Sequence, residues 1–167
     1  MGLDEKKVIS ELQNNANGTI DVIAKHCGFS RQKVWRIIKK IEGDKTIWGY
    51  HAVADTDKLQ LRRYILLIKK SNKPAASLIS IITSSELQKR IKSLGATVEY
   101  SGYLNGSIDW MVIFTAEDIR QAKRVVETFK ILYADSVSEV LLQEEIFPVK
   151  VSGFLNPNVE RLKDFIE

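Results

Sequence analysis

The sequence predicts an α+β protein, with a helical N-terminal part followed by a part in which strands and helices alternate. In the N-terminal part, apolar residues recur at helical spacing and glycine stands where the chain must turn. After about residue 58, short apolar runs of strand length alternate with further helical patterns. A chain of 167 residues has room for one domain or for two small ones.

The N-terminal part predicts three short helices around one small core. The first spans about residues 4–14, and the second follows Thr19, whose hydroxyl is a good helix N-cap. Gly28 and Phe29 then turn the chain, because glycine adopts a positive φ at little steric cost. Ser30 caps the third helix in the same way as Thr19 caps the second. Two helices joined by such a short turn predict a helix-turn-helix motif.

The third helix has one apolar face and one polar, cationic face. Val34, Ile37, Ile38 and Ile41 recur at i, i+3, i+4 and i+7, so we expect this stripe to lie in the core. The opposite face and its flanks carry polar, aromatic and cationic residues: Arg31, Gln32, Lys33, Trp35, Arg36, Lys39 and Lys40.

The positive charge of the chain is concentrated around this helix. Residues 25–45 contain seven Lys or Arg and two acids, a net charge of +5, whereas the whole chain carries +4. Such a local basic helix is typical of proteins that bind nucleic acids, and the alternative is an ordinary solvated face. We interpret the seven residues as DNA-binding. Arg36 and Gln32 suit guanine and adenine edges, and Arg31, Lys33, Lys39 and Lys40 suit phosphates.

The second part predicts the order βαββαβ, the ferredoxin-like arrangement of a four-stranded antiparallel sheet with two helices on one face. The predicted strands and helices are residues 63–69, 74–83 with a second piece after Ser85, 96–104, 107–115, 116–133 and 138–149. Asn105 and Gly106 are expected to form a two-residue hairpin turn. The expected inward positions of the last helix are Ile119, Ala122, Val126 and Phe129.

The first predicted strand is apolar on both sides. Ile65 and Leu67 alternate with Tyr64, Leu66 and Ile68, so both faces of the sheet are apolar there. Because the two helices cover only one face, we expect the other face to be buried by a second subunit. The sequence therefore predicts a homodimer.

Composition changes along the chain predict where the domains begin and end. We expect a helix-turn-helix domain at 1–53, a polar linker at 54–61, the βαββαβ domain at 62–150 and a C-terminal extension at 151–167. Residues 46–53 are β-like and contain Trp48. This tryptophan could contact DNA as part of a wing, but packing at the domain junction is the preferred interpretation.

Several classes of protein are excluded or disfavoured. No apolar run approaches the ~20 residues of a membrane-spanning helix. The single Cys27 excludes an internal disulfide and is typical of a cytoplasmic protein. The sequence contains no nucleophile triad, metal-ligand cluster or glycine-rich phosphate loop, so we expect neither catalysis nor a metal or cofactor.

Together, these features resemble the Lrp/AsnC family of transcriptional regulators, over nearly the whole chain to about residue 150. The residues that carry the resemblance are Leu3, Asp4, Gly28, Phe29, Ser30, Val34, Arg36, Glu42, Ile47, Gly49 and Tyr50. The run from Glu42 is similar to the family pattern E-x-x-G-x-I-x-G-Y, with Lys45 in place of the first glycine.

The resemblance implies a regulator whose C-terminal domain, called ACT-like or RAM, dimerises and holds two helix-turn-helix units on a pseudo-palindromic site. It also implies further assembly, commonly into octamers, and an amino acid or similar small effector. Gly106, Ser107 and Asp109 lie in a stretch similar to the family's G-x-x-D hairpin, which would make them effector-binding. The alternative is that they form only a turn and a strand end.

Two other classes of function stay open. Proteins resembling this family also act as haem-pathway decarboxylases, which require histidines in the C-terminal domain. Here His26 and His51 both lie outside that domain. The remaining alternative is an effector-binding scaffold that does not bind DNA.

Overall fold

The protein folds as two units, which a computed structural model describes for residues 1–72, 79 and 85–166. The first unit contains residues 1–53 and 149–160. The second unit contains residues 54–148 and the residues after 160.

Three helices form the body of the first unit: α1 (Leu3–Asn14), α2 (Ile20–Cys27) and α3 (Arg31–Gly43). Their common core consists of buried apolar residues from all three helices: Val8, Leu12, Ile23, Ala24, Cys27, Val34 and Ile41. The three helices predicted from apolar spacing are therefore confirmed.

The second unit contains one sheet and its covering helices. Its elements are β1 (Arg62–Lys70), α4 (Glu86–Ser93), β2 (Thr97–Tyr103), β3 (Trp110–Ala116), α5 (Ile119–Leu132) and β4 (Val137–Glu144). The strand order is β2-β3-β1-β4, and all neighbouring strands are antiparallel. This confirms the predicted βαββαβ order. The helix predicted over residues 74–83 lies outside the described residues, apart from Ile79.

One face of the sheet is buried together with the inner sides of α4 and α5. Tyr64, Leu66 and Ile68 of β1 lie in the same core as Val112 and Phe114 of β3. Burying each such side chain contributes roughly 1.5–3 kcal/mol. Along α5 the predicted inward residues Ala122, Val126 and Phe129 are buried. The inward position predicted for Ile119 is wrong, because the helix begins there and Ile119 falls to the side of the buried stripe.

The opposite face of the sheet is apolar and incompletely covered by the described residues. Ile65 lies opposite Ile113, and Leu67 lies between Met111 and Leu141. All five side chains are partly exposed or exposed. Directly opposite residues share one face of a sheet, so these side chains form one continuous patch.

The two-residue turn predicted at Asn105 and Gly106 is wrong. β2 ends at Tyr103 and β3 begins at Trp110, and the pair closes where the amide of Leu104 donates to the carbonyl of Asp109 at 2.7 Å. A two-residue type I′ turn needs positive φ at both central residues, and Gly106 does not adopt it.

A tight hairpin forms elsewhere, in the first unit. β5 (Lys150–Val151) pairs with β6 (Phe154–Leu155), and the two residues between them, Ser152 and Gly153, have φ of 48° and 91°. The strand predicted over residues 138–149 is shorter in the structure, because β4 (Val137–Glu144) ends at Glu144. A 3-10 helix at Val159–Leu162 and α6 (Lys163–Ile166) follow the hairpin.

Two other local predictions differ from the structure. The β-like segment 46–53 forms no strand, since none of the described strands pairs with it. Ser85 precedes α4 but has φ of 56°, and its side chain does not cap the helix. Gly95 ends α4 as expected, with φ of 81°.

The turn between α2 and α3 provides a stability test. Gly28 has φ of +66°, whereas Gly43 lies in α3, and an added Cβ would meet nothing within 4 Å at either position. Gly28→Ala should destabilise the protein by about 1 kcal/mol, because a left-handed conformation is costly for alanine. Gly43→Ala should be neutral or stabilise by up to about 1 kcal/mol, because alanine favours helix. Urea unfolding followed by circular dichroism measures both, and equal effects would contradict the expectation.

Candidate nucleic-acid interface

The start of α3 is fixed by side-chain and backbone caps. Gly28 adopts a left-handed conformation after α2, and the amide of Phe29 donates to the carbonyl of Ala24 at 2.9 Å. The hydroxyl of Ser30 then accepts a hydrogen bond from the amide of Lys33 at 3.3 Å. These contacts satisfy groups that helix ends leave unpaired, so the two helices meet at a defined turn.

Burial of one stripe of α3 determines which side chains face solvent. Val34 and Ile41 are buried, and Ile37 and Ile38 pack against the same core. All seven predicted DNA-binding residues are exposed on the remaining surface of the helix: Arg31, Gln32, Lys33, Trp35, Arg36, Lys39 and Lys40. The structure thus brings the predicted residues together on one surface.

Four of these seven residues form ion pairs within the first unit. Lys33 and Lys40 pair with two acids at the start of α1, with Nζ–Oδ2 of 2.7 Å to Asp4 and Nζ–Oε1 of 2.5 Å to Glu5. The other two pairs are Arg31 with Asp21 at 3.1 Å and Lys39 with Glu42 at 3.5 Å. All these side chains are at least partly exposed, so each pair contributes little to stability.

The remaining three residues are differently placed. Gln32, Trp35 and Arg36 make no side-chain hydrogen bond or ion pair within the described part of the chain. Gln32 and Arg36 lie opposite the buried stripe, which is where a groove-bound ligand would contact the helix. Among the described residues, Arg36 is therefore the one cation of α3 that has no acidic partner.

Sequence reasoning missed the acids of α1 as part of this surface. Asp4 and Glu5 lie about 30 residues before their lysines, so no local pattern links them. The one available signal was their position in the first turn of a helix, where acids are favoured by the helix dipole. Lys33 Nζ also lies 4.0 Å from the centroid of the Phe29 ring, a cation–π contact that the sequence did not reveal.

The segment after α3 carries two aromatic side chains in different surroundings. Trp48 is 94% exposed, so the first unit does not bury it, and its packing at the domain junction stays a prediction. Tyr50 instead returns to α3, where its hydroxyl donates to Oε1 of Glu42 at 3.1 Å. Partial burial, together with this carboxylate, raises the pKa of Tyr50.

The three predicted effector-binding residues lie in and beside the β2–β3 loop. Gly106 and Ser107 are exposed, whereas Asp109 is partly buried. The Asp109 carboxylate accepts a hydrogen bond from the amide of Lys70 at 3.0 Å, and its own amide donates to Ile68 at 3.0 Å. Asp109 therefore holds the loop to β1.

The histidines and metal-ligand clusters that a catalytic or metal-binding function would require are not brought together in the described part of the chain. His26 contacts Glu11 at 2.6 Å, and His51 contacts Ser152 at 3.4 Å, both in the first unit. Within the described ranges, no three His, Cys, Asp or Glu residues are grouped as metal ligands. None of the described helices combines the length and apolar composition needed to cross a membrane.

The Glu5–Lys40 pair has a measurable signature. The hydrogen bond from Lys40, with a second from the amide of Gly2, lowers the pKa of Glu5, while Glu5 raises the pKa of Lys40. The contribution of Glu5 to stability is therefore present above its usual pKa of 4.5 and is lost as the pH falls through the lowered value.

Lys40→Ala should move the pKa of Glu5 back towards its usual value. Lys33→Ala is the matched control, because Lys33 pairs with Asp4 and not with Glu5. Carboxyl chemical shifts followed by NMR against pH measure both variants. An equal change in the pKa of Glu5 in the two variants would contradict the assigned pairing.

Comparison with known proteins identifies the fold. No protein-family model and no curated protein matches the sequence. An AsnC family transcriptional regulator from Agrobacterium tumefaciens is 19% identical with a TM-score of 0.66, over 93% of this chain and 97% of that one. A transcriptional regulator from Neisseria meningitidis, solved as a complex with L-Met, is 15% identical with a TM-score of 0.67, over 95% and 97%. The leucine response regulatory protein of Mycobacterium tuberculosis is 12% identical with a TM-score of 0.65, over 91% and 97%. The resemblance found in the sequence is thus confirmed for the fold: this chain has the fold of the Lrp/AsnC transcriptional regulators.

Proposed function

We propose that the protein is a DNA-binding transcriptional regulator of the Lrp/AsnC type, acting in the cytoplasm, and not an enzyme. The observation that carries this proposal is the exposed face of α3, where Gln32 and Arg36 lie opposite the buried Val34–Ile41 stripe without a side-chain partner among the described residues. In a helix-turn-helix motif, the second helix enters the major groove with its N-terminal residues facing the bases.

The residues of α3 divide into two roles in this proposal. Arg36 binds guanine O6 and N7, and Gln32 binds adenine N6 and N7, because each side chain can form two hydrogen bonds with that base. Arg31, Lys33, Lys39 and Lys40 bind phosphates after exchanging their intramolecular acids for the DNA backbone. Trp35 contacts the sugar-phosphate backbone from the flank of the helix.

The uncovered sheet face supports a homodimer. Ile65, Leu67, Met111, Ile113 and Leu141 form an apolar patch that water would contact in a single chain. A second copy of the same face would bury this patch. Two helix-turn-helix units would then bind a pseudo-palindromic DNA site, with half-sites about one helical turn apart. Further assembly of dimers, for example into an octamer, belongs to the same proposal.

A small effector, for example an amino acid, would bind beside the β2–β3 loop. The exposed backbone at Gly106 and Ser107 supports this site, since amides that donate to no other backbone group among the described residues can donate hydrogen bonds to a carboxylate. The Asp109 carboxylate would bind an α-ammonium group, either beside the hydrogen bond that it accepts from the amide of Lys70 or in place of it. The Neisseria regulator was solved with L-Met, which makes methionine the first candidate. Calorimetric titration with the twenty amino acids tests this proposal.

The two alternatives receive less support. A decarboxylase would need histidines in the second unit, and both histidines of this chain lie in the first. A scaffold without DNA binding would not need a helix that presents Gln32 and Arg36 to solvent. A mobility-shift assay on random duplex, repeated at raised salt, distinguishes a scaffold from a DNA-binding protein.

Arg36→Ala tests the proposed contact with bases. The variant should lose roughly 1–3 kcal/mol of affinity for a site selected from random duplexes, and its sequence preference should relax. Lys40→Ala should weaken selected and random duplexes alike and reduce the salt dependence. Fluorescence anisotropy measures the DNA affinity of both variants. Lys58→Ala, in the predicted linker 54–61, is the control. Equal losses on selected and random DNA for Arg36→Ala would remove its assigned role.

Leu67→Lys tests the proposed dimer. A charge at the centre of the uncovered face should shift the protein to a monomer, because burying an unpaired ammonium between two sheets is unfavourable. Ile119→Lys is the control, since Ile119 is 41% exposed at the start of α5. Sedimentation velocity measures the mass of each folded variant. A dimer that survives Leu67→Lys would exclude this face as the interface.

A further inference from the structure

A second basic surface lies on the outer side of α4 and α5. These two helices carry seven Lys or Arg and two acids, a net charge of +5, which equals the charge of residues 25–45. Subtracting both regions from the total of +4 leaves a net charge of −6 on the rest of the chain. The protein therefore has two strongly basic regions, and only one of them belongs to the helix-turn-helix.

The basic residues of this second region face solvent because the opposite sides of both helices are buried. Leu87 and Ile91 anchor α4 on the sheet, while Ala122, Val125 and Phe129 anchor α5. The basic side chains on the outer sides are all exposed: Lys89, Arg90, Lys92, Arg120, Lys123, Arg124 and Lys130. A groove of about 360 Å³ runs between the helices and is lined by Arg90, Ser93, Leu94, Thr128 and Ile131.

Most of these cations have no acidic partner in the part of the chain that the structure describes. Arg90 pairs with Glu86 at 2.8 Å, and Lys130 lies 3.7 Å from Glu127. The other five make no side-chain hydrogen bond or ion pair with any described residue: Lys89, Lys92, Arg120, Lys123 and Arg124. On α3 the proportions are reversed, since four of its five cations are paired and Arg36 alone is not paired with any described residue. Among the described residues, the outer helices thus carry more cations without an acidic partner than α3 does.

The location of this surface keeps it accessible in the proposed dimer. The helices lie on one face of the sheet, and the apolar patch around Leu67 lies on the other. If two sheets pair through their apolar faces, both helical layers remain on the outside. A polyanion could therefore reach the outer helices of both subunits.

We propose that this surface, formed by Lys89, Lys92, Arg120, Lys123 and Arg124, binds the phosphate backbone of duplex DNA outside the recognition site. The proposal rests on the proposed DNA-binding function and extends it to an interaction that carries no sequence information. Duplex DNA carries one negative charge for about every 1.7 Å, so each unpaired cation gains by displacing a condensed counterion. Long DNA would then be held by both the recognition helices and the outer helices.

The test uses the full-length protein with Lys123 and Arg124 both replaced by Gln, on duplexes of about 20 and about 150 base pairs that each carry the selected site. The double variant should bind the long duplex about tenfold more weakly, and the slope of log affinity against log salt should fall by roughly 0.9 for each phosphate that the variant leaves unneutralised. Its affinity for the short duplex should not change. A second double variant, with Lys89 and Lys92 replaced by Gln, should behave in the same way. Lys130→Gln is the matched control on the same helix, because Lys130 already has an acidic neighbour.

The outcomes separate this proposal from the proposed function. If Arg36→Ala weakens binding to the selected site while both double variants bind long DNA normally, the outer surface does not bind DNA and the regulator function stands. If the double variants lose equal affinity on short and long duplexes, or if Lys130→Gln loses as much, the effect is one of net charge and the proposal is overturned. If the wild-type protein binds no duplex at all, the proposed function itself fails. Loss of binding to anionic lipid vesicles without loss on DNA would assign the surface to a membrane and overturn the proposal.

Discussion

The packing of α3 on the other two helices of the first unit is the constraint on which the candidate interface depends. Val34 and Ile41 are buried against residues of α1 and α2, and the capped turn at Gly28 joins α3 closely to α2. Once this stripe is fixed, helical geometry places Gln32 and Arg36 on the opposite side. The exposed face is therefore a consequence of the buried one, and a change in the core would rotate the residues proposed to contact bases.

The ion pairs of α3 neutralise most of the positive charge that the helix carries. A count along residues 25–45 gives +5, but it omits Asp4, Glu5 and Asp21, which lie outside that window and pair with three of its cations. In the proposed DNA complex, a phosphate at these positions would replace one anionic partner by another, so the net gain would be the difference between two attractions. Arg36 would gain the whole of a new interaction, because no acid competes for it among the described residues. This difference is the reason that the proposal assigns a base contact to Arg36.

Local signals predicted most of the fold. Caps at Thr19 and Ser30, the glycine at position 28 and the apolar spacing of the helices depend on neighbours within one or two turns, so the sequence reveals them directly. The errors arose where the outcome depends on distant residues. Asn105 and Gly106 have the composition of a tight turn, but Asp109 is held to Ile68 and Lys70 of β1, and these bonds keep the loop open. The β-like segment 46–53 lacks a neighbouring strand among the described residues, and no pattern within the segment could reveal that.

The same limit of local patterns explains why the sequence did not predict the basic surface on α4 and α5. The residues outside the 25–45 window sum to a charge of −1, which suggested a surface without a second basic region. That sum hides +5 on α4 and α5, because it is cancelled by acids elsewhere in the chain, such as Glu99 and Glu145, which lie on Arg63 at one edge of the apolar sheet face. Only the fold separates the two sets of charges. It places Glu99 and Glu145 beside Arg63, and it places on the outer helices five cations that have no acidic partner among the described residues. The second unit therefore has an apolar side suited to a second subunit and a basic side suited to a polyanion.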